Sequence, residues 1–294
     1  MGNKLTDLIN ILKSMQSAVL AFSGGVDSTL LLKGLQISGI RTLAVTALSE
    51  ITPRRDLLTA NEMAGQLGIE HRIMETDDLL LKEEFLQNTP ERCFLCKDNL
   101  FKKINAIASF EEYAFLIDGS NTDDAVDYRP GMKAAVKYNV RCPLVEAGLS
   151  KKEIRDISRQ LHLPTWDKPS SPCLATRFPY GQRITKDSLK RIDKAEEFIK
   201  GLGFTEVRVR DHDMTARIEV NAGEIDLVLS PESRRLISAK LKALGYRFVS
   251  IDLDGYRMGS MNRMMLKGIQ GDQGIKEPSG LKQILEPSTP CPSC

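Results

Sequence analysis

The segment Ser23-Gly24-Gly25-Val26-Asp27-Ser28 contains the residue types that bind a phosphate group. Its two glycines let the backbone approach an anion closely, and Ser23, Ser28 and Thr29 add hydroxyl donors. Because an apolar run precedes the segment and a helical run follows it, backbone N–H groups at a helix N-terminus should face the anion. Asp27 is a carboxylate within this anion site, which indicates that Mg²⁺ bridges it to phosphate. No Gly-Lys-Ser/Thr follows, so this is not a Walker loop, and we expect no lysine to reach the phosphates.

Three cysteines have a spacing that suits a metal centre. Cys93 and Cys96 form a Cys-x-x-Cys pair, and Cys173 lies far along the chain in a proline-rich stretch. Two thiolates at this spacing can reach one metal centre, and a distant third can complete it and leave one position open. The alternatives are a redox pair, plain buried thiols and a structural zinc site, although a closed zinc site needs a fourth ligand and none stands nearby.

Other polar residues carry weaker signals. Arg208 and Arg210 alternate on one face of a predicted strand, where they could bind a phosphate or carboxylate or simply face solvent. Cys142 is interpreted as an ordinary buried thiol. The pair Cys291 and Cys294, near the end of the chain, is interpreted as exposed and without a fixed role.

The elements that must position these residues alternate between strands and helices. We predict strands over 18–22, 42–47, 71–75 and 114–118, and helices over 28–37, 53–67, 97–108 and 150–161. Ser150 and Glu153 predict a capping box at the start of the last helix. Strands separated by helices of this length form parallel βαβ units, so we expect an α/β fold with a doubly wound parallel sheet.

A second region follows the proline-rich stretch 163–183, which we interpret as a functional loop or domain linker. Helices over 185–201 and 231–244 and strands over 207–210, 215–220 and 247–252 predict a small α+β domain. The expected division is therefore a phosphate-binding α/β domain at 1–180, the α+β domain at 181–265 and a disordered tail at 266–294 rich in Gly, Pro, Ser, Gln and Lys.

The composition is that of an ordinary globular protein. Of 294 residues, 41% are hydrophobic and 27% are charged, with a net charge of +2, so no large nucleic-acid surface is expected. The sequence contains no run of about 18 apolar residues, so no membrane span is predicted. No secretory signal is visible either. We therefore expect a cytoplasmic protein whose six cysteines are thiols, metal ligands or catalysts rather than disulfides.

The phosphate-binding segment resembles the PP-loop signature of the adenine nucleotide α-hydrolase superfamily. This resemblance implies an enzyme that cleaves ATP between the α and β phosphates, adenylates a carbonyl or carboxylate oxygen and releases pyrophosphate. A nucleophile then displaces AMP. It also implies that the adenine lies at the end of the second strand, at Thr46, Ala47 and Leu48. The segment that closes the site would contain Gly119, Ser120, Asn121, Asp123 and Asp124.

Several motifs in combination resemble the LarE family of ATP-dependent sulfur transferases, which help build the nickel-pincer nucleotide cofactor. These motifs are the phosphate loop and residues 91–97, 119–124, 127–131, 143–146, 172–177 and 208–210. The similarity extends from about residue 5 to about residue 262. It implies that the substrate is pyridinium-3,5-biscarboxylic acid mononucleotide, one carboxylate of which becomes a thiocarboxylate. We assign Arg208, Arg210 and Arg177 to the substrate phosphate or carboxylate.

The resemblance leaves two routes for the sulfur. Cys173 matches the sulfur-bearing cysteine of the family, which in one branch gives up its own sulfur and becomes dehydroalanine. In the other branch three cysteines hold a [4Fe–4S] cluster that binds an extra sulfide. Because Cys93 and Cys96 accompany Cys173, we favour the cluster, since three thiolates can anchor three irons and leave the fourth open.

The alternatives are a PP-loop tRNA thiolase, an amidating PP-loop enzyme and a nucleotide-binding module without catalysis. The near-zero net charge disfavours a tRNA thiolase, and an amidating enzyme leaves the three cysteines unexplained. The expected partners are the small-molecule mononucleotide, sulfide or another sulfur donor, and further copies of the chain in a homo-oligomer. No nucleic acid and no membrane are expected.

Overall fold

A computed structural model describes residues 2–125 and 131–257 of the chain. These residues belong to one compact unit, Met1–Arg257. The predicted tail at 266–294, with Cys291 and Cys294, lies outside the described residues, as does most of the 127–131 motif.

A parallel sheet forms the centre of the first part of the chain. Its strands are β1 (Ser17–Ala21), β2 (Arg41–Leu48), β3 (Glu70–Glu75) and β4 (Phe115–Asp118), in the order β3-β2-β1-β4. All neighbouring pairs are parallel, and Ala18 of β1 is in register with Thr42 on one side and Phe115 on the other. The four predicted strands are confirmed to within one residue at each end.

Helices connect these strands. They are α1 (Gly2–Lys13), α2 (Val26–Ser38), α3 (Arg54–Leu67), α4 (Glu83–Leu86), α5 (Arg92–Phe110), α6 (Gly131–Lys137), α7 (Pro143–Glu146) and α8 (Lys151–Gln160), with 3₁₀ turns at Asp77–Leu81 and Thr122–Ala125. The predicted capping box of Ser150 and Glu153 is present at the start of α8. Helix α5 begins five residues before its predicted start, so it includes Cys93 and Cys96.

The sheet is covered on both faces, which confirms the doubly wound α/β fold. Leu20 of β1 packs in one hydrophobic core with Leu31 of α2 and Ile154 of α8. Val19, the preceding residue, packs in a second core with Phe101 of α5. Because side chains alternate along a strand, successive residues of β1 are buried under different helices.

A smaller sheet follows. It contains β5 (Val207–His212), β6 (Thr215–Val220) and β7 (Phe248–Ile251), with β5 and β6 antiparallel and β6 and β7 parallel. Helices α9 (Lys186–Gly201), α10 (Ile225–Leu229) and α11 (Pro231–Ala243) and a 3₁₀ turn at Ala222–Glu224 complete this region. Its core is separate from those of the first sheet. The domain boundary near residue 180 stays a prediction.

The proline-rich stretch 163–183 is an ordered loop containing one 3₁₀ turn, Leu174–Arg177. Leu174 and Phe178 are buried in a cluster with Ile51 and Phe85 of the first region and Ile192 of α9. The loop therefore packs against both parts of the chain. Among the described residues, the helices are too short or too polar to cross a membrane.

Candidate active site

The carboxyl ends of β1, β2 and β4 face a cleft of about 420 Å³. The chain passes from β1 outward to β2 and β3 and then returns to β4 on the other side of β1. Such a reversal of strand order is where open α/β sheets bind their ligands. The lining residues come from segments far apart in sequence, near residues 21–28, 45–47, 52–56, 118–124 and 168–173.

The phosphate loop has the predicted strand-to-helix geometry. Gly24 has φ +66, and a Cβ there would lie 2.8 Å from the backbone nitrogen of Ala60 in α3. Gly25 is the N-cap of α2, so no N-cap side chain binds the first N–H groups of that helix. The hydroxyls of Ser23 and Ser28 lie 3.0 Å apart, and Ser28 Oγ donates to the Gly25 carbonyl at 3.2 Å. Glycine is therefore required at position 24, where the loop contacts α3.

Two other predicted loop residues have different surroundings. Val26 lines the cleft. Thr29 is fully buried, and its Oγ1 has no hydrogen-bond partner among the described residues. Thr29 is therefore placed behind the loop, and its predicted contact with ATP stays a prediction.

Asp27 is held by residues from two other segments. Lys151 Nζ, at the first position of α8, lies 2.5 Å from Asp27 Oδ2, and Asn121 Nδ2 donates to Asp27 Oδ1 at 3.3 Å. The backbone N–H of Asn121 donates to Asp124 Oδ2 at 3.1 Å. Asp27 and Asp124 both line the cleft. Their carboxylates are the hard oxygen donors that Mg²⁺ prefers.

Gly119 brings the end of β4 against the phosphate loop. A Cβ at Gly119 would lie 3.1 Å from the backbone nitrogen of Ser28 and 3.2 Å from its Cα. Because the neighbouring atoms are backbone atoms, they have little freedom to move away. This contact explains how a segment about 90 residues from the phosphate loop joins the same cleft.

Among the described residues, three lysines line the cleft, and the sequence analysis assigned a role to none of them. They are Lys97 of α5, Lys151 of α8 and Lys168 of the proline-rich loop. The sequence analysis expected no lysine at the phosphates because it considered only the residues next to the loop, and the lysines of this cleft favour the opposite interpretation. A Walker loop carries its lysine within its own motif, whereas here distant elements bring the positive charges to the cleft.

Lys97 pairs with Asp118 at the end of β4, at a distance of 2.8 Å. Burial alone would raise the pKa of Asp118, but Lys97 and the N–H of Ser120 lower it below its ordinary value. Cys142 Sγ lies 3.5 Å from Asp118 Oδ1. Burial and the charge of Asp118 raise the pKa of Cys142 to about 12, so this thiol stays protonated at neutral pH. The residue is partly exposed, whereas the sequence predicted a buried thiol.

The expected adenine position, at the end of β2, contains a small hydrogen-bond network. Thr46 Oγ1 donates to the Phe22 carbonyl at 2.8 Å and lies 2.8 Å from His71 Nε2. Since the hydroxyl has a single hydrogen, His71 Nε2 must be the donor to Thr46. Burial lowers the pKa of His71, which favours the neutral imidazole with its proton on Nε2. Thr46 and Ala47 line the cleft, whereas Leu48 is exposed.

The three predicted thiols lie near one another. Cys93 and Cys96 are in the first turns of α5, and Cys96 and Cys173 pack against the same hydrophobic cluster. Burial, with the charges of Cys173 and Cys93, raises the pKa of Cys96 to about 12. The Cys93 residue is more exposed than Cys96. Desolvation of its thiol by nearby protein atoms, with the charge of Cys173, nevertheless raises the pKa of Cys93. Metal binding at these thiols must therefore displace protons.

The donor type of these thiols suits an iron–sulfur cluster. Among the described residues, no group of three or more His, Cys, Asp or Glu side chains is placed around a single metal ion. A [4Fe–4S] cluster binds each thiolate through a different iron, so its ligands need not meet at one point. Cys93, Cys96 and Cys173 are three soft sulfur donors from two separate segments, and this donor set fits that requirement.

Two of the three predicted arginine ligands are in ion pairs. Arg177 is buried, and its Nε and Nη2 donate to Glu196 Oε1 and Oε2 at 2.8 and 2.9 Å. Arg210 Nη2 donates to Glu219 Oε2 at 2.6 Å, and its Nη1 donates to the Thr176 carbonyl at 3.0 Å. Arg177 Nη1 also donates to the Cys173 carbonyl, at 3.2 Å. Both arginines therefore support the segment that carries Cys173.

Arg208 has different surroundings. Its Nη1 and Nη2 donate to the carbonyls of Val207 and Ser170 at 2.9 and 2.7 Å, and Tyr256 stacks on its guanidinium at 4.7 Å. No carboxylate pairs with it among the described residues. Burial and the charge of Arg177 lower the pKa of Arg208. Its charge is therefore less compensated than those of Arg177 and Arg210, which is a property of anion sites.

Glu196, which the sequence analysis did not select, should contribute strongly to stability. We expect Glu196→Ala to lower the free energy of unfolding by about 3–5 kcal/mol, because Arg177 would keep a buried charge without its partner. The exposed pair of Arg183 and Glu83 offers a matched control, and Glu83→Ala should change stability little. Urea denaturation measures both, and similar losses in the two variants would contradict the expectation.

Comparisons with known proteins extend the similarity to nearly the whole chain. No protein-family model matches. An uncharacterised protein of Synechocystis sp. is 38% identical over 266 residues, covering 90% of this chain and 99% of that protein. The pyridinium-3,5-bisthiocarboxylic acid mononucleotide synthase of Lactiplantibacillus plantarum is 36% identical over 269 residues, covering 91% of this chain and 96% of the synthase. The solved structure of NMN synthetase from Francisella tularensis is 20% identical and covers 68% of this chain and 86% of its own, with a TM-score of 0.49.

Proposed function

Because the chain belongs to the LarE family of ATP-dependent sulfur transferases, we propose that it converts a carboxylate of pyridinium-3,5-biscarboxylic acid mononucleotide to a thiocarboxylate. The observation that carries this proposal is one shared cleft. Cys173 lines the same cleft as Ser23, Asp27 and Ser28 of the phosphate loop. An acyl adenylate formed at the loop would therefore lie within reach of a sulfur atom.

The first half-reaction activates the carboxylate. A carboxylate oxygen attacks the α-phosphorus of ATP, the bond to the β-phosphate oxygen breaks and pyrophosphate leaves. The N–H groups at the start of α2, with Lys151 and Lys97, would stabilise the negative charge that develops on the pyrophosphate. Asp27 and Asp124 would hold Mg²⁺, which when bound supplies further positive charge there.

The second half-reaction brings sulfur to the acyl carbon, and the bond from that carbon to the AMP oxygen breaks. Cys93, Cys96 and Cys173 would hold a [4Fe–4S] cluster, which when bound supplies an open iron for sulfide from an external donor. In the sacrificial alternative, Cys173 Sγ itself attacks the acyl carbon and forms a thioester. Loss of the Cys173 Cα proton then breaks its Cβ–S bond and leaves dehydroalanine.

The substrate phosphate or carboxylate would bind beside Arg208. Its incompletely compensated charge supports this assignment, and Ser170, to which it donates, lines the cleft. Arg210 and Arg177 would add positive charge behind it and hold the segment that carries Cys173. We expect the active protein to be a homo-oligomer.

The proposed function is tested by incubating the anaerobically purified protein with ATP, Mg²⁺, sulfide and the biscarboxylate mononucleotide. We expect pyrophosphate and AMP in equal amounts, together with a product in which mass spectrometry finds oxygen replaced by sulfur. ATP binding without pyrophosphate release would indicate a binding module instead. Thiolation of bulk tRNA, with no thiocarboxylate formed, would indicate a tRNA thiolase.

The cluster is tested separately by anaerobic reconstitution with iron and sulfide. We expect a broad visible absorbance that Cys93→Ser, Cys96→Ser and Cys173→Ser each abolish, because each thiolate anchors one iron. Cys142→Ser is the matched control and should keep the absorbance, since its thiol lies beside Asp118. If turnover instead removes the mass of one H₂S at Cys173, the sacrificial route is the correct one.

A further inference from the structure

Lys168 links the proline-rich loop directly to the phosphate loop. Its Nζ lies 3.0 Å from Asp56 Oδ1 and donates to the carbonyl of Gly24 at 3.1 Å. The side chains of Lys168 and Asp56 are only 13% and 11% exposed. An ammonium group has three N–H donors, and these two contacts use two of them.

Asp56 also holds the next part of the loop. Ser171 Oγ donates to Asp56 Oδ2 at 2.6 Å, so one carboxylate binds the loop at two places. Asp56 is in the first turn of α3, the helix against which Gly24 packs. The contacts of Lys168 and Ser171 therefore position the residues just before Cys173 relative to the phosphate loop.

Helix α8 fixes the same lysine from the other side. Arg155 Nη1 donates to the carbonyl of Trp166, and its Nη2 donates to the carbonyl of Lys168, both at 2.8 Å. The same helix begins with Lys151, which pairs with Asp27. The backbone of Lys168 is thus held by a helix whose first residue contacts the phosphate loop.

We propose that Lys168 is a positioning residue that couples occupancy of the phosphate loop to the placement of Cys173. Lys168, Asp56 and Ser171 all line the cleft, and the third N–H of Lys168 would bind an ATP phosphate there. ATP would then fix the lysine, and through it the segment that carries the sulfur site. This inference rests on the proposed function for its chemistry, but the coupling itself requires only ATP.

The first experiment compares Lys168→Met, Lys168→Arg and the wild type. Lys168→Met should lower the thiocarboxylate formed per AMP by about tenfold, as loss of one charge-assisted hydrogen bond would, because the adenylate hydrolyses before sulfur reaches it. Lys168→Arg should recover most of the coupling, since it keeps the charge. Lys103→Met is the control, because Lys103 also contacts a carboxylate, that of Asp78, and a backbone carbonyl, that of Glu75, in a more exposed pair outside the cleft lining. It should keep AMP and thiocarboxylate equal.

The second experiment needs no substrate. We expect a non-hydrolysable ATP analogue to change the rate of Cys173 alkylation, measured by peptide mass spectrometry, in the wild type and Lys103→Met but not in Lys168→Met. An equal change in all three proteins would overturn the proposal. So would a Lys168→Met variant that keeps AMP and thiocarboxylate equal while its thermal stability falls, because that result indicates a purely structural role. If the wild type makes no thiocarboxylate but shows the alkylation effect, the proposed function fails and the coupling stands.

Discussion

A Cys173→Ser variant should form thiocarboxylate at least about 10³-fold more slowly than the wild type, the scale of loss when an essential reacting side chain is removed. The same variant should still exchange labelled pyrophosphate into ATP, because the phosphate loop and its lysines are unchanged. Both sulfur routes need the Cys173 sulfur, as a cluster ligand or as the sulfur that is transferred. A serine hydroxyl serves neither purpose.

The two half-reactions can be measured on the same protein. Pyrophosphate exchange reports adenylation, and mass spectrometry of the mononucleotide reports sulfur insertion. Cys142→Ser should leave both rates near those of the wild type, since the hydrogen bond of Cys142 is to Asp118 and Cys142 is not one of the three proposed cluster ligands. A Cys173→Ser variant that still forms thiocarboxylate would remove Cys173 from the mechanism.

Gly24→Ala should abolish measurable ATP binding and destabilise the protein by about 1–3 kcal/mol, the cost of a strained backbone position. A Cβ at position 24 would lie 2.8 Å from the backbone nitrogen of Ala60 and 3.0 Å from its Cα. Neither atom can move without shifting α3. The loop must therefore leave the helix, and its N–H groups would no longer face the cleft.

Gly39→Ala is a close control for this change. Gly39 has φ +70, almost the same as the +66 of Gly24, but a Cβ there meets nothing within 4 Å. Gly39→Ala should lower the free energy of unfolding by only about 1 kcal/mol, the cost of the left-handed conformation. It should bind ATP normally. Calorimetric titration with ATP and thermal denaturation measure the two effects. Equal ATP affinity in the two variants would show that the contact with Ala60 is unimportant.

The sequence predicted most elements well because their signals are local. The strand 215–220 was predicted with the bounds that the structure has, and the Ser150–Glu153 capping box is present. Helix α1 was missed, since it precedes every motif and no motif drew attention to it. The start of α5 was predicted at Lys97, five residues after its actual start at Arg92.

The arginines show where sequence reasoning was incomplete. Alternation along a strand indicates that Arg208 and Arg210 share a face, but it does not reveal which carboxylates come to that face from elsewhere. Glu219 is opposite Arg208 in the register of β5 and β6, yet its side chain pairs with Arg210. Glu196 reaches Arg177 from α9. Only packing distinguishes Arg208, which has no carboxylate partner among the described residues.

The phosphate loop was determined by the sequence alone, because its glycines, hydroxyls and Asp27 are contiguous and its geometry depends on short-range backbone sterics. The cysteine motifs likewise predicted sulfur chemistry from the sequence alone. The tertiary structure decided which positively charged side chains line the same cleft as the loop. Lys97, Lys151 and Lys168 reach the cleft from two helices and a loop. Their positions depend on how α5, α8 and the proline-rich loop pack against the sheet, and no local pattern contains that information.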